Sequence, residues 1–168
     1  VTTNHLVDAL VAVVDHHRQV VRPVPRLRLV DALNIGTVAG LPIARDMCQK
    51  VIVVGSNDLQ SLYVANNVCS AVEYFRKMGG NVGVAGMVIN KDDGTGEARA
   101  FAEAVGIQVL ASIPADDDIR RKSANYQIVG RPGDRWGPLF EELARNVAWA
   151  PPEWPKPLTQ DGLLGLFK

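Results

Sequence analysis

Three apolar runs, each ending in a short polar segment, constrain this chain more than any other feature. They read VIVV then GSND (Val51–Asp58), VAGMVIN then KDD (Val84–Asp93), and VLASI then PADDDIRR (Val109–Arg121). Helical patterns separate them. Runs of this length and apolarity suit strands buried on both faces. Their alternation with helices predicts a three-layer α/β fold around a parallel sheet, with strands at 51–54, 84–89 and 108–112. Ligands of such sheets bind outside the carboxyl ends of the strands, where the three polar segments fall. No stretch reads G-x-x-x-x-G-K-[S/T], so these residues contain no phosphate loop of that type.

The helices follow from spacing. Leu62, Ala65, Val68, Val72 and Phe75 recur every three or four residues, which predicts a helix over Leu59–Met78 that Gly79-Gly80 ends. Further helices are expected over Glu97–Val105, from near Asp116, and from Trp136 to about Val147. Residues 1–39 differ in texture. Leu6, Leu10, Val13 and Val14 suit a short amphipathic helix, and Pro23 and Pro25 then impose an extended linker. Pro42 is expected to open a helical turn. The chain therefore divides into an atypical N-terminal segment (1–39), an α/β part (40–150) and an extended Pro-rich tail with an apolar end (151–168).

Composition excludes several classes. At 168 residues, 47% hydrophobic and 21% charged, the chain is long enough for one substantial core. Eighteen basic residues balance eighteen acidic ones, so no long-range attraction to nucleic acid is expected. No apolar run approaches the roughly 20 residues needed to span a bilayer. The start lacks the marks of a secretory signal, and two cysteines cannot form a disulfide framework, so the expected compartment is the cytoplasm.

Two segments carry the ligand expectations. Asn90 closes a buried strand, where its carboxamide can offer one donor and one acceptor to a nucleobase edge, and Lys91 follows it. The alternative is that Asn90 merely turns the chain before Asp92-Asp93-Gly94. In the second segment Pro114 fixes the chain direction and Asp116 can cap the following helix, so backbone groups there could grip an adenine. A plain capped loop is the alternative. Gly94-Thr95-Gly96 has Arg99 where a dinucleotide fingerprint needs its third glycine, and reads as a flexible helix entry. His5, Asp15, His16 and His17 read as a solvated helix end rather than a metal site. Cys48 and Cys69 read as buried, unreactive thiols. No residue is assigned a catalytic or metal-ligating role.

The run GLPIARDMCQKVIVVGSNDLQSLYVANNVCSAVEYF, then GVAGMVINKDDGTGEA, then VLASIPADDDIRRKSANY, resembles the nitrogenase iron-protein family, and within it the chlorophyllide-reducing branch. The resemblance covers Gly40 to Lys168. It implies a P-loop ATPase fold and a homodimer around one shared 4Fe–4S cluster, with Mg-ATP hydrolysis gating electron transfer. The recipient it implies is a catalytic chlorophyllide reductase complex of bacteriochlorophyll synthesis. It also implies that Asn90 and Lys91 read the base, and that Ile113, Pro114, Ala115 and Asp116 pack on adenine. Counting back from Leu41-Pro42 puts Gly36 where the family's second cluster cysteine belongs, and the family's N-terminal strands, phosphate loop and first cluster cysteine find no match. The expectation is an iron-protein subunit of which these residues hold only the adenine end, with neither ATPase nor cluster by themselves. Two alternatives stay open: another iron protein, of the protochlorophyllide or nitrogenase type, or a non-catalytic interaction module derived from one.

Overall fold

The computed structural model describes residues 50–168. The readings of residues 1–39, of the Pro42 turn and of Cys48 lie outside the described residues. Three parallel strands, β1 (Lys50–Gly55), β2 (Gly83–Asp92) and β3 (Val109–Pro114), form one sheet in the order β1-β2-β3. Between them run α1 (Leu59–Lys77) and α2 (Glu97–Val105); α3 (Asp117–Ala124), α4 (Gly137–Trp149) and α5 (Gln160–Gly165) follow. The expected strands are present. β2 runs three residues past its predicted end, because Asp92 still pairs with Pro114.

Two cores, one on each face, make the three layers. Val51 and Val53 point with Val84, Met87 and Ile89 into a core shared with Leu62, Val68 and Val72 of α1 and Phe101 of α2. Ile52 and Val54 point the other way, with Ala85, Val88 and Leu110, against Phe140, Leu143 and Val147 of α4. Alternation along a strand reverses at every residue, so Val84 and Met87, three apart, should face opposite sides. They share a face because one extra residue is inserted: Val51 pairs with Val84, but Ile52 pairs with Gly86. Gly86 absorbs this bulge at φ +148°, a conformation that side chains rarely adopt.

The tail departs from its reading. Residues 160–165 are helical, capped by the Thr159 hydroxyl, and Leu163 is buried in the α1–α2 core. Two glycines in GLLGLFK mask the helical signal, and tertiary burial of Leu163 supplies what local propensity does not. The preceding stretch is extended, as expected, but tied down. Glu153 exchanges two backbone hydrogen bonds of 2.8 Å with Val84, and Lys156 N–H donates to the Val105 carbonyl (2.8 Å). The carboxamide of Asn66, itself buried, donates to the Leu158 carbonyl (2.9 Å) and accepts from the Leu158 N–H (2.8 Å). The tail is thus a strap across the amino ends of the strands. No described helix is long and apolar enough to cross a membrane.

Candidate functional site at the carboxyl ends of the strands

Parallel pairing brings the three polar segments to one end of the sheet. The β1 loop supplies Asn57, the end of β2 supplies Asn90 to Asp93, and the end of β3 supplies Ser112 to Asp116. Asp92 joins them. Its carboxylate accepts from the Ser112 hydroxyl, from Asn57 Nδ2 (3.0 Å) and from the Gly94 N–H (3.0 Å), and its backbone carbonyl accepts from the Ala115 N–H (2.9 Å). Asn57 is used on both sides. Its amide nitrogen also donates to Asp93 Oδ1 (2.6 Å), while its oxygen accepts from the Ala98 N–H in the first turn of α2 (2.9 Å). That bond replaces a side-chain cap, which Gly96 cannot supply.

Asn90 stands half-buried two residues before the end of β2, and its carboxamide has no hydrogen-bond partner among the described residues. Lys91 is exposed and left-handed at φ +54°, a strain of about 1–3 kcal/mol for a residue with a side chain. Asn90 and Ile113–Asp116 lie side by side at the ends of adjacent strands, as a shared site requires. Their contributions differ, however. Ile113 is buried in the α4-side core, so only its backbone can reach a ligand. The Ala115 N–H is spent on Asp92, and the Asp116 side chain caps α3 by accepting from the Asp118 N–H (2.7 Å). Pro114 and Ala115 remain as surface against which a ring could lie. Behind them, Lys122 pairs with Asp134 (2.8 Å) and Trp136 Nε1 donates to Asp118 (3.1 Å), which fixes α3 to the turn before α4.

Asn57, Asp92 and Ser112 do not stand out in the sequence. The available signal was position: each follows or ends an apolar strand run, and side chains there converge only once the register is known.

The Ser112 hydroxyl and the Gly94 N–H, with Asn57, hold the Asp92 carboxyl below the usual carboxylate range. Asn57 and Thr95 do the same for Asp93. A depressed folded-state value means that the stabilisation is complete above the unfolded value, near 4, and is lost as pH falls through the lower folded value. Thermal midpoints should therefore fall on acidification below about pH 4. Asp92→Asn should flatten that dependence; an unchanged slope in the variant would show that the network does not carry it.

Among the described residues no group of His, Cys, Asp and Glu could hold a metal ion. Cys69, the thiol they include, is fully buried in α1, and burial pushes it up to about 12. A thiol so placed does not suit a 4Fe–4S cluster, which is held by accessible thiolates.

A family model described as "4Fe-4S iron sulfur cluster binding proteins, NifH/frxC family" matches residues 29–168. The chlorophyllide reductase 35.5 kDa chain of Cereibacter sphaeroides is 80% identical over 128 residues, covering 76% of this chain and 38% of that relative. Its counterpart in Rhodobacter capsulatus is 76% identical over 129 residues, covering 77% and 39%. Nitrogenase iron protein 2 of Rhodobacter capsulatus is 26% identical over 129 residues, covering 73% and 46%. The chain thus spans less than half the length of these relatives. Among solved structures, the cell division ATPase MinD of Pyrococcus furiosus aligns with 61% of this chain and 43% of its own, at 19% identity and a TM-score of 0.45.

Proposed function

The chain belongs to the NifH/frxC family of 4Fe-4S iron sulfur cluster binding proteins, and we propose that it is part of the ATP-dependent electron-donor subunit of chlorophyllide a reductase, in bacteriochlorophyll synthesis. The observation that carries this reading is the 80% identity over 128 residues to a chlorophyllide reductase chain, against 26% to a nitrogenase iron protein. By the same reading the working form is a homodimer around a shared cluster that donates electrons to a catalytic partner complex. The buried, unpaired thiol of Cys69 fits a cytoplasmic location.

The described residues divide these tasks unevenly. They fit the base end of a nucleotide: the Asn90 carboxamide has no partner among the described residues, and Pro114 and Ala115 offer surface beside it. ATP, when bound, supplies the free energy that gates electron transfer. Its phosphates need a backbone cradle, a lysine and Mg²⁺, and no phosphate loop occurs in these 168 residues. The cluster, likewise, is proposed to be ligated from outside the described residues. Two or three hydrogen bonds to a base, at roughly 0.5–1.5 kcal/mol each, barely offset the cost of immobilising a ligand.

These 168 residues alone should therefore bind MgATP at about millimolar strength or weaker and show no ATPase. Joining the N-terminal part of a chlorophyllide reductase 35.5 kDa chain ahead of Gly40 should restore ATP hydrolysis and, with the catalytic partner, chlorophyllide reduction. A folded, ATP-hydrolysing chimera that fails with that partner would favour another iron protein. Micromolar MgATP binding by the 168 residues in calorimetry would overturn the division of tasks.

A further inference from the structure

The sequence of α3 cannot hold that helix in place by itself. A helix shorter than about 12–15 residues is marginal in water, and most helices in proteins are kept by an apolar face packed on a core. α3 has eight residues, DDIRRKSA, and none is buried. Nor is any residue buried from Pro114 to Ile128, whereas Ile113 before this stretch and Val129 after it both are. Ile119 packs against the core beneath α4, and only in part. The left-handed backbone of Tyr126, at φ +55°, works against the closed arrangement.

Among the described residues, polar side chains fasten the stretch instead. Lys122 is the hub. Its ammonium donates to both oxygens of Asp134 (2.8 and 2.9 Å) and meets Asp118 (3.3 Å). Trp136, buried just ahead of α4, donates from Nε1 to Asp118 (3.1 Å). Arg135 lies over that indole (4.4 Å) and reaches Asp116 (3.4 Å). Asp134, Arg135 and Trp136 all stand on the turn into α4, which Trp136 and Phe140 anchor in the core. Segments with few buried apolar contacts open locally, ahead of the global transition. We propose that residues 116–128 are a salt-sensitive flap, latched by Lys122 to Asp134 and Asp118 and by Trp136 to Asp118, that opens as a unit while the sheet stays folded. Asp116 is its root, because the same carboxyl caps α3 and meets Arg135. Opening therefore frees the loop at the end of β3 from α4 and reshapes the surface at the carboxyl ends of the strands. The flap stands on these contacts and not on the base-site reading.

Hydrogen exchange of the 168-residue chain, followed by mass spectrometry of peptic fragments, tests it. At low salt the amides of 117–128 should exchange well ahead of those of β2 and α1, yet more slowly than in an unstructured peptide. In about 1 M NaCl, where the screening length shrinks to about 3 Å, their exchange should rise about threefold, with β2 unchanged. Lys122→Met should raise it about tenfold at low salt, the scale of one hydrogen bond to a charged group, and remove most of the response to salt. Asp134→Asn should act in the same direction and serves where Lys122→Met does not fold; slow exchange in β2 shows that a variant is folded. Exchange of 117–128 as slow as that of β2 would overturn the flap, since the segment would then open only with the sheet. Exchange at the unstructured rate in the unaltered chain would overturn the latch. So would an unchanged rate in both variants, or a salt response that they keep in full.

Discussion

Replacing Gly86 by alanine should cost about 3 kcal/mol or more, a large share of what a domain of this size has. A Cβ built there falls 2.6 Å from the Gln108 carbonyl oxygen and 2.7 Å from Leu110 Cγ, on a backbone at φ +148°. Neither neighbour can yield easily. Gln108 accepts the Met87 N–H through that oxygen (2.8 Å), and Leu110 is buried in the core beneath α4. Relief would require removing the bulge, but a one-residue slip would turn Met87 and Ile89 to the wrong face. Urea unfolding should show a lowered midpoint with an unchanged slope. A loss below about 1 kcal/mol would mean that the strand rebuilds its register cheaply.

Ending the chain after Ala150 should be worse. It removes Leu163 from the core, a loss of about 2–5 kcal/mol on the scale of leucine truncations. It also exchanges the two hydrogen bonds between the Asn66 carboxamide and the Leu158 backbone for bonds to water, a net loss of roughly 0.5–1.5 kcal/mol each. Together these rival the total stability of an ordinary domain, about 5–15 kcal/mol, so the shortened chain should lose its cooperative thermal transition. Trp154→Ala provides the contrast. That ring is half exposed and meets the Arg76 guanidinium at 4.7 Å, a contact worth about 0.5–1 kcal/mol. A shortened chain that melts like the full one would show the strap to be ornamental.

The sheet was legible because strands buried on both faces leave an unmistakable run of Val, Ile and Met. The helix limits were legible where the sequence states them locally. Asp58 and Asp116 cap α1 and α3 with their own side chains, and Gly106 ends α2 at φ +77°. What could not be read was anything fixed by register. The Asn57–Asp92–Ser112 link joins residues 35 and 20 positions apart, and no periodicity in a single segment encodes it. The same holds for Asn66, which reads as one more polar residue of α1 until the strap lies against it. Asn90 was legible as a carboxamide near a strand end, although β2 runs on to Asp92. The use of Ala115 and Asp116 for internal bonds was not, since it depends on which neighbour reaches them first.

The strap also bears on how fast this molecule can assemble. The Lys50 ammonium meets the Ala150 carbonyl across 100 residues, and Asn66 meets Leu158 across 92. Each doubling of a closed loop adds only about 0.6 kcal/mol of entropy, so such spans weigh little on the final balance. They weigh on the search instead. Contacts far apart in sequence slow the conformational search, and parallel strands already make this topology a slow one. The two-sided sheet can collapse from its own nearby segments, whereas the strap must find a groove that exists only once β2 and α1 have met. We expect its docking to come late in folding, with the amino ends of the strands uncovered until then.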